Sequence, residues 1–391
     1  MNPLLNLPPK ERGLRLETLR KLMSEAGVDA ILVSDNANLF HNLGRVIAGY
    51  GYIPREGNPQ YFVRRPVGLH GVGVHYISKP EQIAEHITLS GTLGLELDLL
   101  SYSMAERLRK AFPGVEIVNI SPLLRKSRAV KTPYEQQLMR ESGVAQERVY
   151  RNIPRLYSDG MTDIEFQVEL EKASRLEGCL GQFRISGSSM ELYMGNILAG
   201  DNADTPSPYD FAMGGEGLNP SLPVGANGTL IRRGQTVMVD INGDYTGYMT
   251  DMTRTFCPGD PSELNPLALK AHQLSIDICN ACAETARPGV VASDLYKLAA
   301  GMVENAGLEK YFMGHRQKAG FIGHGLGIEI NELPVIAPKS RDILAEGNAI
   351  AIEPKFVIPG TGAVGIENTY LLTSSGMESI TNAPVEIRSL S

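Results

Sequence analysis

Several classes of protein are excluded by what this sequence has little of. It contains no tryptophan and only four cysteines. A small secreted domain held together by disulfides would carry far more cysteines in a much shorter chain. Charged residues make up 21% of the chain and hydrophobic residues 42%, which is typical of a folded globular protein rather than a disordered one. With 391 residues, the chain is long enough for two domains.

Clustered positive charge and long apolar runs are also missing. The formal net charge is −7, and the arginine pairs Arg64-Arg65 and Arg232-Arg233 stand alone. Nucleic acid is therefore not an expected partner, because neutralising phosphates requires grouped cations. No run approaches the roughly 20 apolar residues that cross a bilayer, and the first residues lack the pattern of a signal peptide. We expect a cytoplasmic protein without a membrane partner.

Residues 1–127 have the pattern of a small α/β domain. Helical periodicity and short apolar runs alternate there, over 13–25, 29–34, 91–97, 104–112 and 114–120. Gly27 follows the first helical pattern and is expected to end it. This alternation predicts a sheet with helices packed against it.

Residues 128–391 are predicted to form an α+β domain with a mainly antiparallel sheet. Thr132 and Pro133 have the pattern of a helix start, with Thr132 as the N-cap. Thr162 and Glu165 form a capping box ahead of a second helix. The segment 200–228 is rich in Gly, Pro and Asn, and its length favours an active-site loop.

Three aspartates, Asp240, Asp244 and Asp251, lie in a segment that otherwise favours a strand, VDINGDYTGYMTDMTRTF. Asp240 and Asp251 would oppose each other on one face if a hairpin turned around Tyr245-Thr246. A turn at Asn242-Gly243 is the competing interpretation, because this dipeptide is a strong hairpin signal. That turn would move Asp251 about 20 Å away from Asp240 along the strand. The two registers predict different sites.

Two further acidic residues are predicted to face each other across a second hairpin. The turn signal Pro359-Gly360-Thr361-Gly362 is centred between Glu353 and Glu367. Both glutamates follow apolar strand sequence, AIAIE and AVGIE, so both are expected to be buried. A buried carboxylate requires a partner.

His324 lies between the two hairpins in sequence, in the segment GFIGHGLGIEINE. Four carboxylates that converge on one imidazole would carry uncompensated negative charge, which two divalent cations offset. Oxygen-rich ligation with one imidazole suits Mn, Co, Fe or Zn. Paired metal ions activate a water molecule and polarise a carbonyl group. Taken one at a time, each residue also fits an ordinary strand-end carboxylate or a core histidine.

These segments resemble the signature segments of the pita-bread metallopeptidases. They are VDINGDYTGYMTDMTRTF, GHGLGIEINE, IEPKFVIPG and GIENTYLLT. That family includes aminopeptidase P, prolidase, methionine aminopeptidase and creatinase. SRAVKTPYEQQLMRESG and the preceding α/β domain resemble the aminopeptidase P and prolidase branch. The resemblance therefore covers nearly the whole chain, and it implies a pita-bread catalytic domain with a curved sheet and a homodimeric assembly.

The resemblance also implies a role for each acidic residue. Asp240 would bind one metal ion, whereas His324 and Glu353 would bind the other. Asp251 and Glu367 would bridge both ions. Glu353 would in addition carry the proton during catalysis.

Three substrate-site positions depart from the family pattern. Proline-specific members usually carry a histidine at the positions of Asn331 and Pro223, and often an arginine at that of Gly365; Val224 follows Pro223 and is not a histidine either. Asn331 could still donate a hydrogen bond to a substrate carbonyl, or it could serve only loop structure. Asp244 is expected to be a solvent-exposed turn residue, and Arg254 to brace Asp251 or another carboxylate.

The resemblance implies a two-metal hydrolase that cleaves an amide bond near the N-terminus of a small peptide, perhaps before proline. The missing histidines leave open an alternative, a hydrolase or lyase of the same fold that acts on a small non-peptide amide or a modified amino acid. A third interpretation is a non-catalytic binding protein. The intact ligand set disfavours it.

Overall fold

The computed structural model describes residues 2–187 and 194–390. The chain forms two compact units, Met1–Arg128 and Ala129–Ser391. Within the described ranges, no helix is both long enough and apolar enough to cross a membrane. Each unit has its own sheets and its own hydrophobic clusters.

The first unit is built on a six-stranded mixed sheet. Its strands are β1 (Asn2–Pro3), β2 (Ala30–Val33), β3 (Ala48–Pro54), β4 (Gln60–Arg65), β5 (Leu69–His70), β6 (Val74–Tyr76), β7 (Thr92–Leu95) and β8 (Glu116–Asn119). Its helices are α1 (Pro9–Glu25), α2 (Asn36–Leu43), α3 (Tyr102–Ala111) and α4 (Ser121–Ala129). The strand order is β6-β4-β3-β2-β7-β8, and β1 pairs separately with β5. The predicted α/β architecture is confirmed.

Both faces of this sheet are buried, and β2 shows why its sequence is apolar throughout. Ile31 and Val33 pack in the cluster that contains residues of α1, α2 and α4. Ala30 and Leu32 point the other way and pack in the cluster that contains α3 residues. A strand covered on both faces has an unbroken apolar run rather than an alternating one.

In the described part of the second unit, three mainly antiparallel sheet pieces combine with four α-helices. Its strands are β9 (Gly195–Ala199), β10 (Val237–Asp244), β11 (Met249–Pro258), β12 (Gly323–Gly325), β13 (Glu332–Ile336), β14 (Ala349–Ile352), β15 (Lys355–Ile358), β16 (Gly362–Gly365), β17 (Asn368–Thr373), β18 (Gly376–Ser379) and β19 (Arg388–Leu390). Its helices are α5 (Pro133–Asn152), α6 (Asp163–Leu176), α7 (Pro266–Thr285) and α8 (Ala292–Ala306). The predicted α+β class with a mainly antiparallel sheet is confirmed.

The strand orders of this unit place its hairpins next to each other. They are β19-β11-β10-β9, β13-β12-β14-β17-β18 and β15-β16. Among the described strands of the unit, only β11 and β19 pair in parallel. A single bridge between Thr253 and Glu367 connects β11 to the segment before β17. Helices α5 and α6 cover β10 and β11, and α7 and α8 pack in a separate cluster with β14.

Both predicted helix starts are confirmed. The Thr132 side chain accepts from the Glu135 N–H, and the Glu135 side chain accepts in return from the Thr132 N–H. Thr162 and Glu165 form the same reciprocal pair at the start of α6. Each box satisfies backbone donors that the first turn of a helix leaves unpaired.

The hairpin β10–β11 turns after Asp244, so the predicted alternative with a turn at Asn242-Gly243 is wrong. Asp240 pairs with Thr253, and Asn242 pairs with Asp251. The register differs by two residues from direct opposition of the aspartates. Because the shift is even, Asp240 and Asp251 still lie on the same face as diagonal neighbours.

The second hairpin has the predicted register. Ile352 pairs with Asn368 on one side, and Lys355 pairs with Gly365 on the other. Glu353 and Glu367 lie between these two pairs, in the interval where β14 passes into β15 and β16 passes into β17. The same register on both sides places the two glutamates opposite each other.

Candidate metal centre

The first two predicted ligands come from the hairpin β10–β11. Alternate residues of β10 pack in the cluster with α5 and α6, namely Val237, Val239 and Ile241. Asp240 therefore points to the opposite face, as the two-residue period of a strand requires. Asp251 of β11 is on that face as well, because it pairs with Asn242, two residues from Asp240. Asp251 is buried, whereas the side chain of Asp240 is 18% exposed.

His324 lies on β12 between two glycines that let other backbone segments come close. A Cβ atom at Gly323 would lie 2.3 Å from the carbonyl oxygen of Ala351, and one at Gly325 would lie 2.1 Å from that of Leu333. Nδ1 of His324 lies 3.1 Å from the Gly325 carbonyl oxygen. A ring proton on Nδ1 would donate to this carbonyl oxygen and leave Nε2 as the ligand atom.

The structure brings the five predicted ligands together. Asp251, His324 and Glu367 offer ligand atoms that all lie within 4.8 Å of one another, and Asp240, Glu353 and Glu367 do the same. Glu367 belongs to both sets. Nε2 of His324 lies 3.3 Å from Oε1 of Glu353, which links the sets further. The predicted residues therefore form one cluster with two possible centres.

Lys355 is a member of this cluster that the sequence analysis did not identify. Its Nζ donates to Asp240 Oδ2 at 2.8 Å, to Glu353 Oε2 at 2.7 Å and to Glu367 Oε2 at 3.3 Å. The Lys355 side chain is 0% exposed. Burial acts to lower the pKa of this ammonium, but the three carboxylates outweigh burial and raise the pKa of Lys355 well above its usual value. The available signal was a lysine two residues after Glu353 in an apolar strand, on the same face.

The pKa values of the buried carboxylates are shifted in opposite directions, because Lys355 compensates one of them more than the others. Burial and the neighbouring carboxylates raise the pKa of Asp251 to about 7. They also raise the pKa of Glu367 well above its ordinary range. Burial acts on Glu353 in the same sense, but chiefly the Lys355 ammonium reverses the effect and lowers the pKa of Glu353 to about 2. One ammonium therefore compensates Glu353 and leaves Asp251 and Glu367 short of positive charge.

One oxygen of Glu367 fits a bound cation. Glu367 Oε2 accepts from Thr253 Oγ1 at 2.8 Å and from Lys355 Nζ. Its other oxygen, Oε1, is buried and has no hydrogen-bond partner in the part of the chain that the structure describes. A buried carboxylate oxygen without a partner is unfavourable, and a cation would satisfy it. With Asp251 and His324 it forms an oxygen-rich set with one imidazole, which suits Mn, Co, Fe or Zn.

Arg254 differs from its prediction because it braces backbone rather than a carboxylate. Its Nη1 donates to the carbonyl oxygens of Thr253 and Glu367, each at 2.7 Å. Its Nη2 donates to Asn368 Oδ1 at 2.7 Å. Arg254 alternates with Asp251 along β11, so its side chain leaves the strand on the other face. It therefore fixes the backbone that carries Glu367.

Asp244 is a turn residue, but the prediction that it is exposed is wrong. It is 1% exposed. Its Oδ1 accepts from the Gly247 N–H at 2.8 Å, and its Oδ2 accepts from Gln182 Nε2 at 2.7 Å. Asp244 thus closes the hairpin turn and ties it to the segment around Gln182.

An open pocket lies against the ligand cluster. Asp240, Asp251, His324 and Glu353 form part of its lining, and most of the rest is apolar: Phe183, Ile185, Phe211, Ala212, Phe321 and Ile330. Phe211 belongs to the segment 200–228, so that segment contributes to the pocket as predicted. A concave apolar site with a few polar groups is typical of small-molecule binding.

Asn331 lines the pocket, but its amide also holds a loop. The Ser186 N–H donates to Asn331 Oδ1 at 2.8 Å, and Asn331 Nδ2 donates to the Ser186 carbonyl oxygen at 2.9 Å. These two bonds fit the loop-structure interpretation of Asn331. The catalytic assignment of Asn331 stays a prediction.

The other two departures from the family pattern have local structural reasons. Gly365 has a φ of +144°, and a Cβ atom there would lie 2.7 Å from the Pro354 carbonyl oxygen. An arginine at this position would require the backbone to move. Val224 is buried, and the Pro223 carbonyl oxygen accepts from Ser207 Oγ at 2.9 Å.

Comparison with known proteins points to the same family as the sequence motifs around the predicted ligands. The Creatinase/Prolidase N-terminal domain matches residues 15–130. The Xaa-Pro dipeptidase of Pyrococcus furiosus is 27% identical over 381 residues, covering 95% of this chain and 99% of that protein. Among solved structures, an Xaa-Pro dipeptidase from Bacillus anthracis has a TM-score of 0.79 at 24% identity and covers 96% of this chain and 99% of its own.

A second solved structure supports the same fold. The X-Pro aminopeptidase from Thermotoga maritima has a TM-score of 0.77 at 20% identity and covers 96% of this chain and 99% of its own. Metallopeptidase family M24 matches residues 137–374, which is more than half of the chain and includes all five predicted ligands. The expectation from the sequence motifs is thus confirmed, and the chain belongs to metallopeptidase family M24.

Proposed function

We propose that this protein is a metal-dependent peptidase that hydrolyses an amide bond near the N-terminus of small peptides, with Xaa-Pro peptides as the first candidates. The observation that carries the proposal is the convergence of Asp251, His324 and Glu367 beside Glu353 at the pocket. The names of similar proteins, Xaa-Pro dipeptidase and X-Pro aminopeptidase, support this substrate class.

Asp251, His324 and Glu367 would hold a divalent ion, with Asp240 and Glu353 beside them. When bound, such an ion polarises the scissile carbonyl and activates a water molecule. Glu353 is the residue placed to move a proton, at Oε1, from the attacking water to the leaving amine. Its lowered pKa keeps it in the carboxylate form at neutral pH.

The metal is proposed to be Mn, Co, Fe or Zn, on the basis of the donor set. The family resemblance implies two ions. The Lys355 ammonium already lies among one set of these carboxylates. The proposed hydrolysis therefore does not depend on whether one or two metal ions are bound.

The first experiment measures hydrolysis by metal-stripped protein with and without added Mn²⁺. The panel contains Xaa-Pro dipeptides, matched Xaa-Ala dipeptides and Xaa-Pro tripeptides, which separates dipeptidase from aminopeptidase activity. We expect hydrolysis that is abolished by chelation and restored by metal. Full activity after rigorous metal removal would overturn the proposal.

Ligand variants test the same proposal at the level of residues. Asp251→Ala and Glu367→Ala should each lower activity more than about 100-fold, since even partners of metal ligands contribute about 10–100-fold. Asp260→Ala, at an exposed aspartate, is the matched control and should retain activity. Equal activity of Asp251→Ala and Asp260→Ala would contradict the assignment of the site.

A second candidate function is hydrolysis or lysis of a small non-peptide amide or a modified amino acid. The observation that favours it is that Asn331 of the pocket lining is bonded to the Ser186 backbone, while an arginine in place of Gly365 would require the backbone to move. Short N-acyl amino acids and guanidino compounds in the same panel distinguish it. Turnover of these compounds without turnover of any dipeptide would establish the second function instead.

We also propose, from the family resemblance alone, that the protein works as a homodimer in the cytoplasm. Light scattering coupled to gel filtration measures the mass in solution. A mass of one chain, 42.5 kDa, at working concentration would contradict the dimer.

A further inference from the structure

We propose that the Lys355 ammonium takes the place of one of the two metal ions, so that this centre binds a single divalent ion at Asp251, His324 and Glu367. The inference deepens the proposed metal-dependent function and rests on it. It follows from where Nζ lies, from what fixes the lysine and from which ligand atoms remain.

The ammonium lies among one complete set of ligands. The three carboxylates that it contacts, Asp240, Glu353 and Glu367, are the same three that form the second candidate metal set. Its distances of 2.7–3.3 Å to them include charge-assisted hydrogen-bond lengths. An ion bound to those oxygens at about 2.0–2.2 Å would overlap the volume of Nζ and repel its charge. The ammonium and an ion therefore exclude each other at this centre.

The lysine head group is buried among the three carboxylates. Its side chain is 0% exposed on β15, and its backbone is fixed at both polar atoms. The Lys355 N–H lies 3.4 Å from Met313 Sδ, and the Lys355 carbonyl oxygen accepts from the Met313 N–H at 2.8 Å. The three carboxylates match the three donors of an ammonium group. Moving the ammonium away would leave a buried charge without partners.

The residue opposite Lys355 makes room for it. Gly365 is its cross-strand partner, and a Cβ atom on Gly365 would lie only 3.0 Å from the Lys355 Cα. A residue larger than glycine at position 365 would therefore collide with the backbone of Lys355. An arginine at position 365, as in the family pattern, would bring a second cation into the same buried region.

The other set keeps its ligand atoms. Glu367 divides its two oxygens: Oε2 serves Lys355 and Thr253, whereas the buried Oε1 has no hydrogen-bond partner among the described residues. Asp251 and His324 lie beside it. One ammonium and one divalent ion together carry three positive charges, which offset three of the four carboxylate charges. A second divalent ion is therefore not required to compensate the negative charge of the cluster.

The test counts bound metal by equilibrium dialysis against Mn²⁺, with elemental analysis of the protein. Three proteins are compared: wild type, Lys355→Met and Lys355→Gly. Methionine removes the charge but keeps a side chain of similar length in the same volume, whereas glycine opens that volume. We expect one equivalent in the wild type, one in Lys355→Met and two in Lys355→Gly. Electron paramagnetic resonance should show isolated Mn²⁺ in the first two and an exchange-coupled pair in Lys355→Gly.

Each other result overturns the inference in a distinguishable way. Two equivalents in the wild type would show that Lys355 yields its place to an ion, and the proposed peptidase function would stand. One equivalent in Lys355→Gly, with the circular dichroism spectrum of the wild type, would show that the ammonium is not what limits the count. No bound metal in any of the three proteins would end the proposed metal-dependent function together with the inference.

Discussion

At the scale of single residues, Thr253 and Thr255 differ only in what their hydroxyl groups hold. Both are fully buried at successive inward positions of β11. Thr253 Oγ1 donates to a carboxylate oxygen of Glu367 at 2.8 Å, whereas Thr255 Oγ1 donates to the carbonyl oxygen of Gly365 at 2.9 Å. One hydroxyl therefore orients a proposed metal ligand, and the other only joins two strands.

Replacing each threonine by valine separates these roles. Thr253→Val should weaken Mn²⁺ binding by about 10–100-fold, because groups that orient a ligand contribute that much to metal affinity. Thr255→Val should leave the affinity unchanged and lower the free energy of unfolding by about 1 kcal/mol. Isothermal titration with Mn²⁺ and urea unfolding measure the two quantities. Equal affinities in the two variants would contradict the assignment of Glu367 as a ligand.

His272 predicts a pH dependence of stability that is separate from the metal centre. Burial lowers its pKa to about 4, and Nε2 lies 2.8 Å from the Val385 carbonyl oxygen, so the folded protein keeps this imidazole neutral. The folded-state pKa lies below the unfolded value of 6.5. The contribution of His272 is therefore complete above pH 6.5 and is lost as the pH falls towards 4, by up to about 3 kcal/mol.

The substitution His272→Gln tests this pH dependence, because the glutamine amide can donate to the same carbonyl oxygen but does not titrate. Urea unfolding of the variant should lose less stability between pH 6.5 and pH 4 than that of the wild type. His70→Gln, at an exposed histidine, is the matched control and should keep the wild-type slope. A slope for His272→Gln that equals the wild-type slope would contradict the assignment.

A functional residue can be identified from the sequence when its residue type is unusual for the secondary structure that surrounds it. Acidic residues in apolar strands are conspicuous, so Asp240, Asp251, Glu353 and Glu367 could be found without coordinates. Lys355 is equally unusual in its strand. Its importance depends on a contact with Asp240, 115 positions away, which strand alternation alone does not predict.

At the scale of elements, the two hairpins differ in whether the turn signal in the sequence predicts the position of the turn. The turn between β15 and β16 has its predicted register, and Gly360 adopts a positive φ of +80° there. Asn242-Gly243 fails as a turn because Gly243 serves packing: a Cβ atom on it would lie 2.8 Å from both Gln146 and Thr250. Asp244 and Gly247, with a φ of +86°, make the turn three residues later. A glycine needed for close approach and a glycine needed for turning look the same in a sequence.

Two glycines within helices differ in the same way, so replacing each by alanine should change the stability in opposite directions. A Cβ atom on Gly143 of α5 would lie 2.0 Å from the Ile380 carbonyl oxygen, whereas one on Gly301 of α8 meets nothing within 4 Å. Gly143→Ala should therefore lower the free energy of unfolding by about 1–3 kcal/mol through overpacking. Gly301→Ala should raise it by about 0.5–1 kcal/mol, because alanine has the better helix propensity. Urea unfolding of both variants measures the difference, and a loss of stability in Gly301→Ala would contradict it.

At the scale of the whole molecule, the chain is two units with different relations to the proposed chemistry. All five predicted ligands and Lys355 lie within Ala129–Ser391. Composition and periodicity were enough to predict an α/β unit followed by an α+β unit. They could not indicate how four strands and two segments between strands meet at one cluster, since that depends on pairings between residues more than 100 positions apart.

Binding of a metal ion should therefore stabilise the second unit by mass action. At a free Mn²⁺ concentration 100 times the Kd, the gain is about 2.7 kcal/mol, which slows exchange of the most protected amides by about 100-fold. Hydrogen exchange with mass spectrometry should show this slowing in peptides from β10, β11, β14 and β17. Peptides from Met1–Arg128 should not change beyond the error of the measurement. Asp251→Ala should remove the effect, and unchanged exchange in the four strands of the wild type at saturating Mn²⁺ would contradict a metal site at their junction.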